Sequence, residues 1–155
     1  MLNWLKRPSN ELLRSELLDE ISFYPRFYKD LKHTKKSILI ESPYLTTTRA
    51  LQIAPIAAKL TRKKIRIKIY TRFPGHHMPR LRYESEQAIG ILQSAGVIVY
   101  VSHDLRHRKI AIIDKNILYE GSLNILSQSK SREIMRRTVS NKLCMQMLRF
   151  TKPSR

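Results

Sequence analysis

Short runs rich in isoleucine and valine recur along the chain, and segments of helical composition separate most of them. Residues 37–42, Ser-Ile-Leu-Ile-Glu-Ser, predict a short buried strand that ends before Pro43, and residues 97–101 predict another buried strand. Residues 65–71 alternate strictly, so that isoleucines face a core while Arg66 and Lys68 face outward. Strands that alternate with helices predict an α/β fold with a mixed, largely parallel sheet and helices on both faces.

The remaining segments predict helices and two further strands. Leucines at positions 12, 13, 17 and 18 have helical spacing, and Ser9 or Asn10 can cap a helix that runs through Glu20. Further helices are expected from about Pro25 to before His33, over 48–61 with Pro55 causing a kink or a break, over 80–94 before Gly96, and over 141–150. Strands are expected over 107–114 and 117–120, around a turn at Lys115 and Asn116.

The chain length of 155 residues suits one compact domain. Within it, we predict an N-terminal helical segment, residues 1–35, followed by a core, residues 36–155, that holds the candidate catalytic residues. No apolar run is long enough for a signal peptide or a membrane span, which predicts a cytoplasmic protein without integral membrane association. The single cysteine, Cys144, lies among apolar residues and is expected to be a buried free thiol.

The chain is strongly basic, with 30 Lys and Arg residues against 12 Asp and Glu residues and a formal net charge of +18. Such an excess indicates a polyanionic partner. No acidic residue occurs between Glu41 and Glu84. Nucleic acid is the predicted partner, although a solvated basic surface or attraction to an anionic membrane would have the same composition. The predicted binding residues are Lys63, Lys64, Arg66, Lys68, Arg72, Arg80, Arg82, Arg106 and Arg108.

One segment carries an ordered set of polar residues: His-x-Lys, four residues, Asp, six residues, then Gly-Ser-x-Asn. His107 and Lys109 share a face in an extended strand, because side chains alternate with a period of two. Asp114 has the opposite parity and is expected to support the turn. Ser122 and Asn124 again share parity, so that a hydroxyl and a carboxamide approach from the returning strand.

These side chains suit one phosphate. Lysine neutralises phosphate oxygens, asparagine donates hydrogen bonds to them, and histidine acts as nucleophile or acid because it titrates near pH 6.5. The segment therefore predicts a site for phosphoryl transfer. A histidine two residues before a lysine would by itself usually be structural.

The complete spacing from His107 to Asn124 resembles the signature of the phospholipase D superfamily, with every fixed position present. Residues 131–137 also resemble the acidic strand that follows this motif in nuclease-like members. The first half of the chain is similar only through its strand and helix rhythm and through Ser42-Pro-Tyr after the first strand. The resemblance implies the phospholipase D/nuclease-like fold.

The resemblance also implies a two-step, metal-independent cleavage of a phosphodiester without a cofactor. His107 would attack phosphorus to form a phosphohistidine, and a second histidine would protonate the leaving oxygen and then activate water. Glu133 matches the carboxylate that orients the histidine, although an ion pair with Arg136 or Arg137 is an alternative. By the motif match, Lys109 and Asn124 hold the phosphate, Ser122 assists, and Asp114 has a structural role.

The mechanism needs two histidines, whereas the chain has one copy of the motif. His103 is not a second copy, because Leu105 replaces the required lysine. A two-fold homodimer would bring His107 of each chain to a common site, as in the short members of the family. His76, His77 and the pair His103 and His107 lack further ligands at suitable spacing, so no metal site is predicted.

Three functions remain open at this level. The leading prediction is a nuclease that cuts DNA or RNA, because Arg106 and Arg108 flank His107 within a basic chain. The second is a phospholipase or cardiolipin-type hydrolase, for which only Trp4 and Leu5 near the start suggest a membrane contact. The third is a DNA-binding module without catalysis. The sequence does not distinguish DNA from RNA or single from double strands, and it leaves open a larger partner such as a helicase.

Overall fold

The computed structural model describes residues 14–151. In chain order, its elements are β1 (Ser15–Asp19), α1 (Phe23–Lys32), β2 (Ser37–Glu41), α2 (Thr47–Arg62), β3 (Arg66–Arg72), a short 3₁₀ helix (Pro74–His76), α3 (Pro79–Ser94), β4 (Ile98–Ser102), β5 (Ile110–Ile113), β6 (Ile117–Gly121), β7 (Ile134–Val139) and α4 (Asn141–Thr151). Every predicted helix downstream of Pro25 is present, with small differences at its ends.

The seven strands form one sheet in the order β1-β7-β6-β5-β2-β3-β4. The predicted class, a mixed sheet flanked by helices, is confirmed. The parallel part is smaller than predicted, because only β2, β3 and β4 run parallel and four of the six pairings are antiparallel. The physical reason lies in the connections: helices α2 and α3 allow parallel crossovers, whereas β5 and β6 are joined by a tight turn that forces antiparallel pairing.

Helices cover both faces of the sheet, and each face has its own apolar cluster. Helices α1, α2 and α3 bury the larger cluster, in which Phe23 and Phe27 pack edge-on against the ring of Tyr119. Helix α4 packs on the opposite face, where Cys144 contacts Ile112 and Leu118. Burial raises the pKa of the Cys144 thiol to about 12, as expected for an inert structural thiol.

The described part of the predicted first helix is a strand, not a helix. Strand β1 pairs with β7, with Leu17 opposite Arg136. Leu18 packs against the core while Leu17 is 64% exposed, which is the alternation of an edge strand. Leucine spacing alone predicted a helix, and pairing with β7 overrides that preference. The predicted start at Ser9 or Asn10 lies outside the described residues, and the segment 1–35 contributes a strand to the sheet as well as α1.

Two local details also differ from expectation. Helix α2 continues through Pro55, because Ile53, Ala57 and other residues on its inner face are buried against the sheet on both sides of the proline. The turn between β5 and β6 is one residue earlier than predicted. Asp114 and Lys115 occupy its two central positions with φ of 55° and 54°, a left-handed conformation that aspartate tolerates better than most residues.

Strand direction determines where the candidate residues gather. The carboxyl ends of β2, β3, β4 and β6 and the amino ends of β5 and β7 all meet at one edge of the sheet. The segments immediately before β5 and after β6 therefore face each other there. We call this end of the strands, where the candidate catalytic residues gather, the catalytic edge; it is distinct from the outer strands β1 and β4.

Candidate active site

His107 and Lys109 lie at the catalytic edge, in an extended segment directly before β5. The strand itself begins at Ile110, so both residues precede it and are freer to meet a ligand than residues inside a ladder. The Lys109 ammonium donates a hydrogen bond of 2.8 Å to the backbone carbonyl of His107. This bond holds the ammonium close to the imidazole, on the side of the segment that the sequence alternation predicts.

The arginines that flank His107 turn the other way, toward a buried carboxylate. Glu41, at the end of β2, is fully buried and pairs with Arg108 through Nε and Nη2 at 3.1 and 3.2 Å and with Arg106 at 3.6 Å. Arg106 also makes two 2.8 Å bonds to Asp104. Because Arg106 and Arg108 share parity, anchoring them inward presents His107 on the opposite side.

This arrangement corrects the assignment of Arg106 to the nucleic-acid surface. Its side chain is 3% exposed and its guanidinium is engaged by Glu41 and Asp104, so it does not offer a free cation to a phosphate. Arg108 is 43% exposed but also donates to the Phe150 carbonyl at 2.7 Å. Buried carboxylates attract guanidinium groups because an unpaired buried charge is costly. The sequence contained no signal that Glu41 would contact these arginines.

The environment of His107 favours the neutral imidazole. Partial burial lowers the pKa of His107 below its usual value of 6.5, and the nearby cations Lys109 and Arg72 lower it further. A neutral ring keeps a lone pair for attack on phosphorus at neutral pH. The pKa of Lys109 is also lowered, first by burial, while Glu133 opposes the shift.

We expect the pKa of His107 measured by NMR titration to lie below 6.5 and to rise in Arg72→Gln. The sign follows from charge: removal of a neighbouring cation makes protonation of the imidazole less unfavourable. Arg82→Gln is the matched control, because Arg82 pairs with Glu86 on α3 and is not among the groups that shift His107. An unchanged His107 titration in Arg72→Gln would contradict this account of the site.

Glu133 belongs to the same group of residues. Hydrogen bonds from Ser122 and Ser131, followed by the charge of Lys109, lower the pKa of the Glu133 carboxyl, so it is ionised at neutral pH. Within residues 14–151, Glu133 forms neither of the alternative ion pairs, with Arg136 or with Arg137, and Arg137 bonds to Asp30 at 2.6 Å. The structure therefore brings Glu133 close to Ser122 and Lys109.

Gly121 permits this approach. A side chain at position 121 would overlap the Ile134 carbonyl oxygen and the backbone of Met135, so only glycine allows β6 and β7 to come so close at this point. The Ser122 amide then donates to the Ile134 carbonyl at 2.9 Å, and the Ser122 hydroxyl accepts from the Ile134 amide at 3.1 Å. The glycine of the motif thus positions Ser122 beside the start of β7.

Asn124 has an unused polar atom. Its backbone carbonyl accepts from the amides of Ser127 and Gln128, which forms a tight turn after β6. Its side-chain Oδ1 is buried and, among residues 14–151, has no hydrogen-bond partner. Buried polar atoms are normally paired, so this acceptor is free for a donor on a ligand, whereas the NH2 group of the same carboxamide is the part able to donate to a phosphate oxygen.

Asp114 lies at the opposite end of the sheet from His107. Its carboxylate accepts hydrogen bonds from the amides of Lys35, Lys36 and Ser37 at 3.0, 2.7 and 3.0 Å. These bonds join the β5–β6 turn to the loop before β2. Asp114 was expected to support its own turn. Its carboxylate instead makes the contacts of a structural residue with the loop before β2.

Two aromatic contacts beside His107 were not predicted. The Tyr44 ring lies 6.0 Å from the His107 ring in an edge-on orientation and 5.1 Å from the ring of His77. The Arg72 guanidinium carbon is 5.8 Å from the Tyr44 centroid. The tripeptide Ser42-Pro-Tyr was the only sequence feature that indicated a role for Tyr44. Buried Ser42 holds the Tyr44 backbone in place, because its hydroxyl donates to the Tyr44 carbonyl and accepts from the Leu126 amide.

A family model described as "Cardiolipin synthase, PLD-like domain" matches residues 27–151, which include the whole motif and the elements that position it. The chain belongs to the phospholipase D superfamily. This membership makes a phosphodiesterase the general kind of protein to expect. A comparison with curated protein sequences finds no significant match.

Solved structures agree with this superfamily fold. Nuc from Salmonella typhimurium, a phospholipase D family member, matches with a TM-score of 0.73 and 17% identity over 88% of this chain and 90% of that chain. NucT from Helicobacter pylori matches with a TM-score of 0.70 and 17% identity over 88% and 91%. Phosphatidylserine synthase from Haemophilus influenzae matches with a TM-score of 0.63 and 17% identity over 87% of this chain and 37% of that chain.

The other predicted binding residues of this phospholipase D superfamily member are spread over the surface. Lys63 and Lys64 follow α2 at the end of the sheet opposite the catalytic edge, whereas Arg66 and Lys68 project from the face of β3 away from α2. Arg72 ends β3 at the catalytic edge. Arg80 and Arg82 lie in the first turns of α3, where Arg82 pairs with Glu86 at 2.9 Å.

Residues 14–151 contain no cluster of three or more His, Cys, Asp or Glu residues suited to a metal ion. His76 and His103 instead lie against the ring of Phe73, with His103 4.4 Å from its centroid. Over the same range, no helix combines the length and apolar composition needed to cross a bilayer.

Proposed function

We propose that this chain is a metal-independent endonuclease that cleaves phosphodiester bonds of DNA or RNA, at a site shared by two identical subunits. The observation that supports the proposal is that His107 and Lys109, directly before β5, and Asn124, shortly after β6, lie at the same end of the sheet. Their imidazole, ammonium and amide NH2 groups suit a phosphate, and the charge of Arg72 acts on His107 from nearby. The strongly basic chain favours nucleic acid as the phosphodiester.

The chemistry proceeds in two displacements. The neutral His107 ring attacks phosphorus, and the bond to the leaving oxygen breaks as a second, protonated histidine donates its proton to that oxygen. The same second histidine then removes a proton from water, which attacks the phosphohistidine and restores the free His107 ring. The Lys109 ammonium and the Asn124 carboxamide stabilise the extra negative charge on the phosphate oxygens in both steps.

Glu133 and Ser122 support this arrangement. An ionised Glu133 carboxylate can accept a hydrogen bond from one ring nitrogen of a catalytic histidine, which leaves the other nitrogen for phosphorus. The nearby Ser122 hydroxyl lowers the pKa of the Glu133 carboxyl and so favours its charged form. The proposed role of Ser122 is therefore exerted through Glu133 and through the start of β7.

The second histidine is proposed to come from a partner chain. His77 and His107 both lie against the Tyr44 ring, at centroid distances of 5.1 and 6.0 Å, but His77 stands outside the motif. A two-fold axis at the catalytic edge would instead bring two His107 rings and two copies of Lys109 and Asn124 around one phosphate.

The surroundings provide space for a polymeric substrate. A cavity of about 490 Å³ lies beside the turn after Asn124 and is lined in part by Arg49, Arg80 and Gln128. Arg80 is the cation that would contact a phosphate next to the scissile bond, because Arg49 already donates to the Gln128 carbonyl and to Gln52.

Hydrolysis of an anionic phospholipid is the second candidate function. It is favoured by the description of the matching family model and by the likeness to phosphatidylserine synthase. The same His107 chemistry would apply to a lipid phosphodiester. Cardiolipin vesicles assayed beside plasmid DNA and RNA separate the two candidates, and binding without any cleavage would leave the silent DNA-binding module.

We expect cleavage of plasmid DNA or RNA to continue in excess EDTA, with a rate within about twofold of the rate without chelator. The nucleophile and acid of the proposed mechanism are imidazoles, so no divalent ion participates. The assay follows conversion of supercoiled plasmid and degradation of a labelled RNA after the protein has been dialysed against chelator. Activity that disappears in EDTA and returns with a divalent ion would overturn the mechanism.

A further inference from the structure

Within residues 14–151, no helix covers the part of one sheet face that lies beside α4. Helix α4 packs over Leu39, Ile112 and Leu118, which belong to β2, β5 and β6. On β3 and β4, the residues that point to the α4 side of the sheet are only partly buried or are exposed. Ile67 and Ile69 of β3 point to the other side and are buried under α2 and α3. We call this surface the open face: Arg66, Lys68, Tyr70 and Arg72 of β3 with Tyr100 of β4.

The two tyrosines of the open face form an ordered stack. Tyr70 and Tyr100 are paired across the strands, with ring centroids 4.8 Å apart and ring planes within 15° of parallel. The guanidinium carbon of Arg106 lies 5.5 Å from the Tyr70 centroid. Tyr100 is 39% exposed at the edge of the sheet and can extend the stack by one more flat ring. Such a ring gains stacking energy.

Cations line this stack. Lys68 Nζ lies 5.8 Å from the Tyr100 centroid, and residues two apart on a strand repeat at about 6.6 Å, so Arg66, Lys68 and Arg72 form a row along β3. A groove of about 240 Å³, lined by Arg66, Lys68 and Leu148 among others, runs beside the row. The chain has no acidic residue between Glu41 and Glu84 to oppose these charges.

The row leads to the active site. Arg72, at the carboxyl end of β3, donates to the backbone carbonyls of Arg106 and Leu105 at 3.1 and 3.2 Å. Its charge also contributes to the lowered pKa of His107. The open face and the catalytic edge are therefore continuous through one residue, and a strand that lies along β3 would reach His107 without leaving the basic surface.

We propose that the open face binds single-stranded nucleic acid, with a base stacked on the outer side of Tyr100 and the phosphates following Arg66, Lys68 and Arg72 toward His107. This inference rests on the proposed function, because it assigns a path to the same substrate. A single strand fits because its bases are free to stack on aromatic rings, whereas those of a duplex are already stacked on one another. The charged row also complements a polyanion better than an acyl chain.

The test uses the full chain carrying His107→Ala, so that binding is measured without cleavage. Tyr100→Leu is added to this background and the affinity for a fluorescent 12-nucleotide oligothymidylate is measured in EDTA. Loss of one base stack should weaken binding by about tenfold, and Tyr100→Phe should restore it. An abasic strand of the same length and charge should bind equally well with and without the Tyr100→Leu substitution, because it has no base to stack.

Matched controls separate this surface from general changes. Tyr83→Leu removes a tyrosine from α3 that is 64% exposed, against 39% for Tyr100, and Lys29→Gln removes an exposed cation from α1 on the other face of the sheet; neither should change affinity by more than about twofold, whereas Lys68→Gln should weaken binding several-fold. Equal effects of Tyr100→Leu and Tyr83→Leu, or an equal loss with the abasic strand, would overturn the proposal. So would Tyr100-dependent binding to anionic vesicles in place of the oligonucleotide.

The outcomes also distinguish this proposal from the proposed function. If the unaltered chain cleaves nucleic acid but Tyr100→Leu binds the oligonucleotide normally, the open face is not the path and the nuclease proposal stands. If the unaltered chain cleaves no nucleic acid while Tyr100→Leu still loses single-strand binding, the open face is a binding surface and the nuclease proposal fails.

Discussion

Replacement of His107 by alanine is expected to abolish cleavage while nucleic-acid binding stays near its original level. The His107 ring is the proposed nucleophile, and removal of a nucleophile that also serves as acid and base lowers turnover by about 10⁴-fold or more. Binding, by contrast, rests on many cations, of which His107 is at most a minor part because its pKa is lowered. Turnover of plasmid or RNA and equilibrium affinity for the same substrate are the two measurements.

The matched control for this prediction is His103→Ala. His103 lies four residues before His107 and stacks against Phe73, so its removal tests loss of a neighbouring imidazole without loss of the motif. The His103→Ala protein should keep most of the cleavage activity. Affinity in all three proteins should fall steeply as salt rises from low to moderate concentration, because phosphate contacts release counterions. An active His107→Ala protein would contradict the proposed site. Affinity that does not change with salt would contradict the proposal that a basic surface binds the nucleic acid.

The strand parity explains why much of the site could be predicted from the sequence. Side chains in extended segments alternate, so His107 and Lys109 had to share one side and Arg106 and Arg108 the other, whatever the tertiary structure. The structure agrees with this local rule. The rule does not say what lies on each side, and the arginines assigned to nucleic acid turn out to face Glu41, a contact between residues 67 positions apart.

Other features depended on long-range pairing that no local pattern encodes. Strand β1 exists because β7 offers it an antiparallel edge, and its leucines alone indicate a helix. Asp114 has the expected supporting character, but its partners are the amides of Lys35 to Ser37, far away in the sequence. Tyr44 reaches His107 because the end of β2 lies beside the start of β5. Each of these contacts follows from the order of the strands in the sheet.

Mixing of subunits is expected to reduce activity sharply if the site is shared. Wild-type chains are co-refolded with an excess of His107→Ala chains, and mixed dimers then carry one of the two required histidines. With random pairing, a ninefold excess of mutant leaves about one wild-type chain in ten paired with another, so activity per wild-type chain should fall about tenfold. The readout is the rate of plasmid or RNA cleavage at constant wild-type concentration.

The control uses His103→Ala in the same excess. These chains retain His107, so mixed dimers keep both histidines and total activity should rise with total chain concentration. A second sample combines folded wild-type and folded His107→Ala proteins without refolding, which tests whether dimers exchange subunits. An interface that is apolar beyond the polar site should exchange slowly, because separated subunits would expose that surface to water.

The two arrangements of the site differ most clearly in how activity depends on the mutant fraction. A shared site loses activity with each mixed dimer, because the remaining His107 can attack phosphorus but lacks the partner that protonates the leaving oxygen. A self-sufficient chain would keep constant activity per wild-type chain at every ratio, and the second histidine would then have to be found within the chain. His77 would be the candidate, because its ring contacts the same Tyr44 ring as His107. His77→Ala would decide that case, since the shared-site proposal expects it to retain activity.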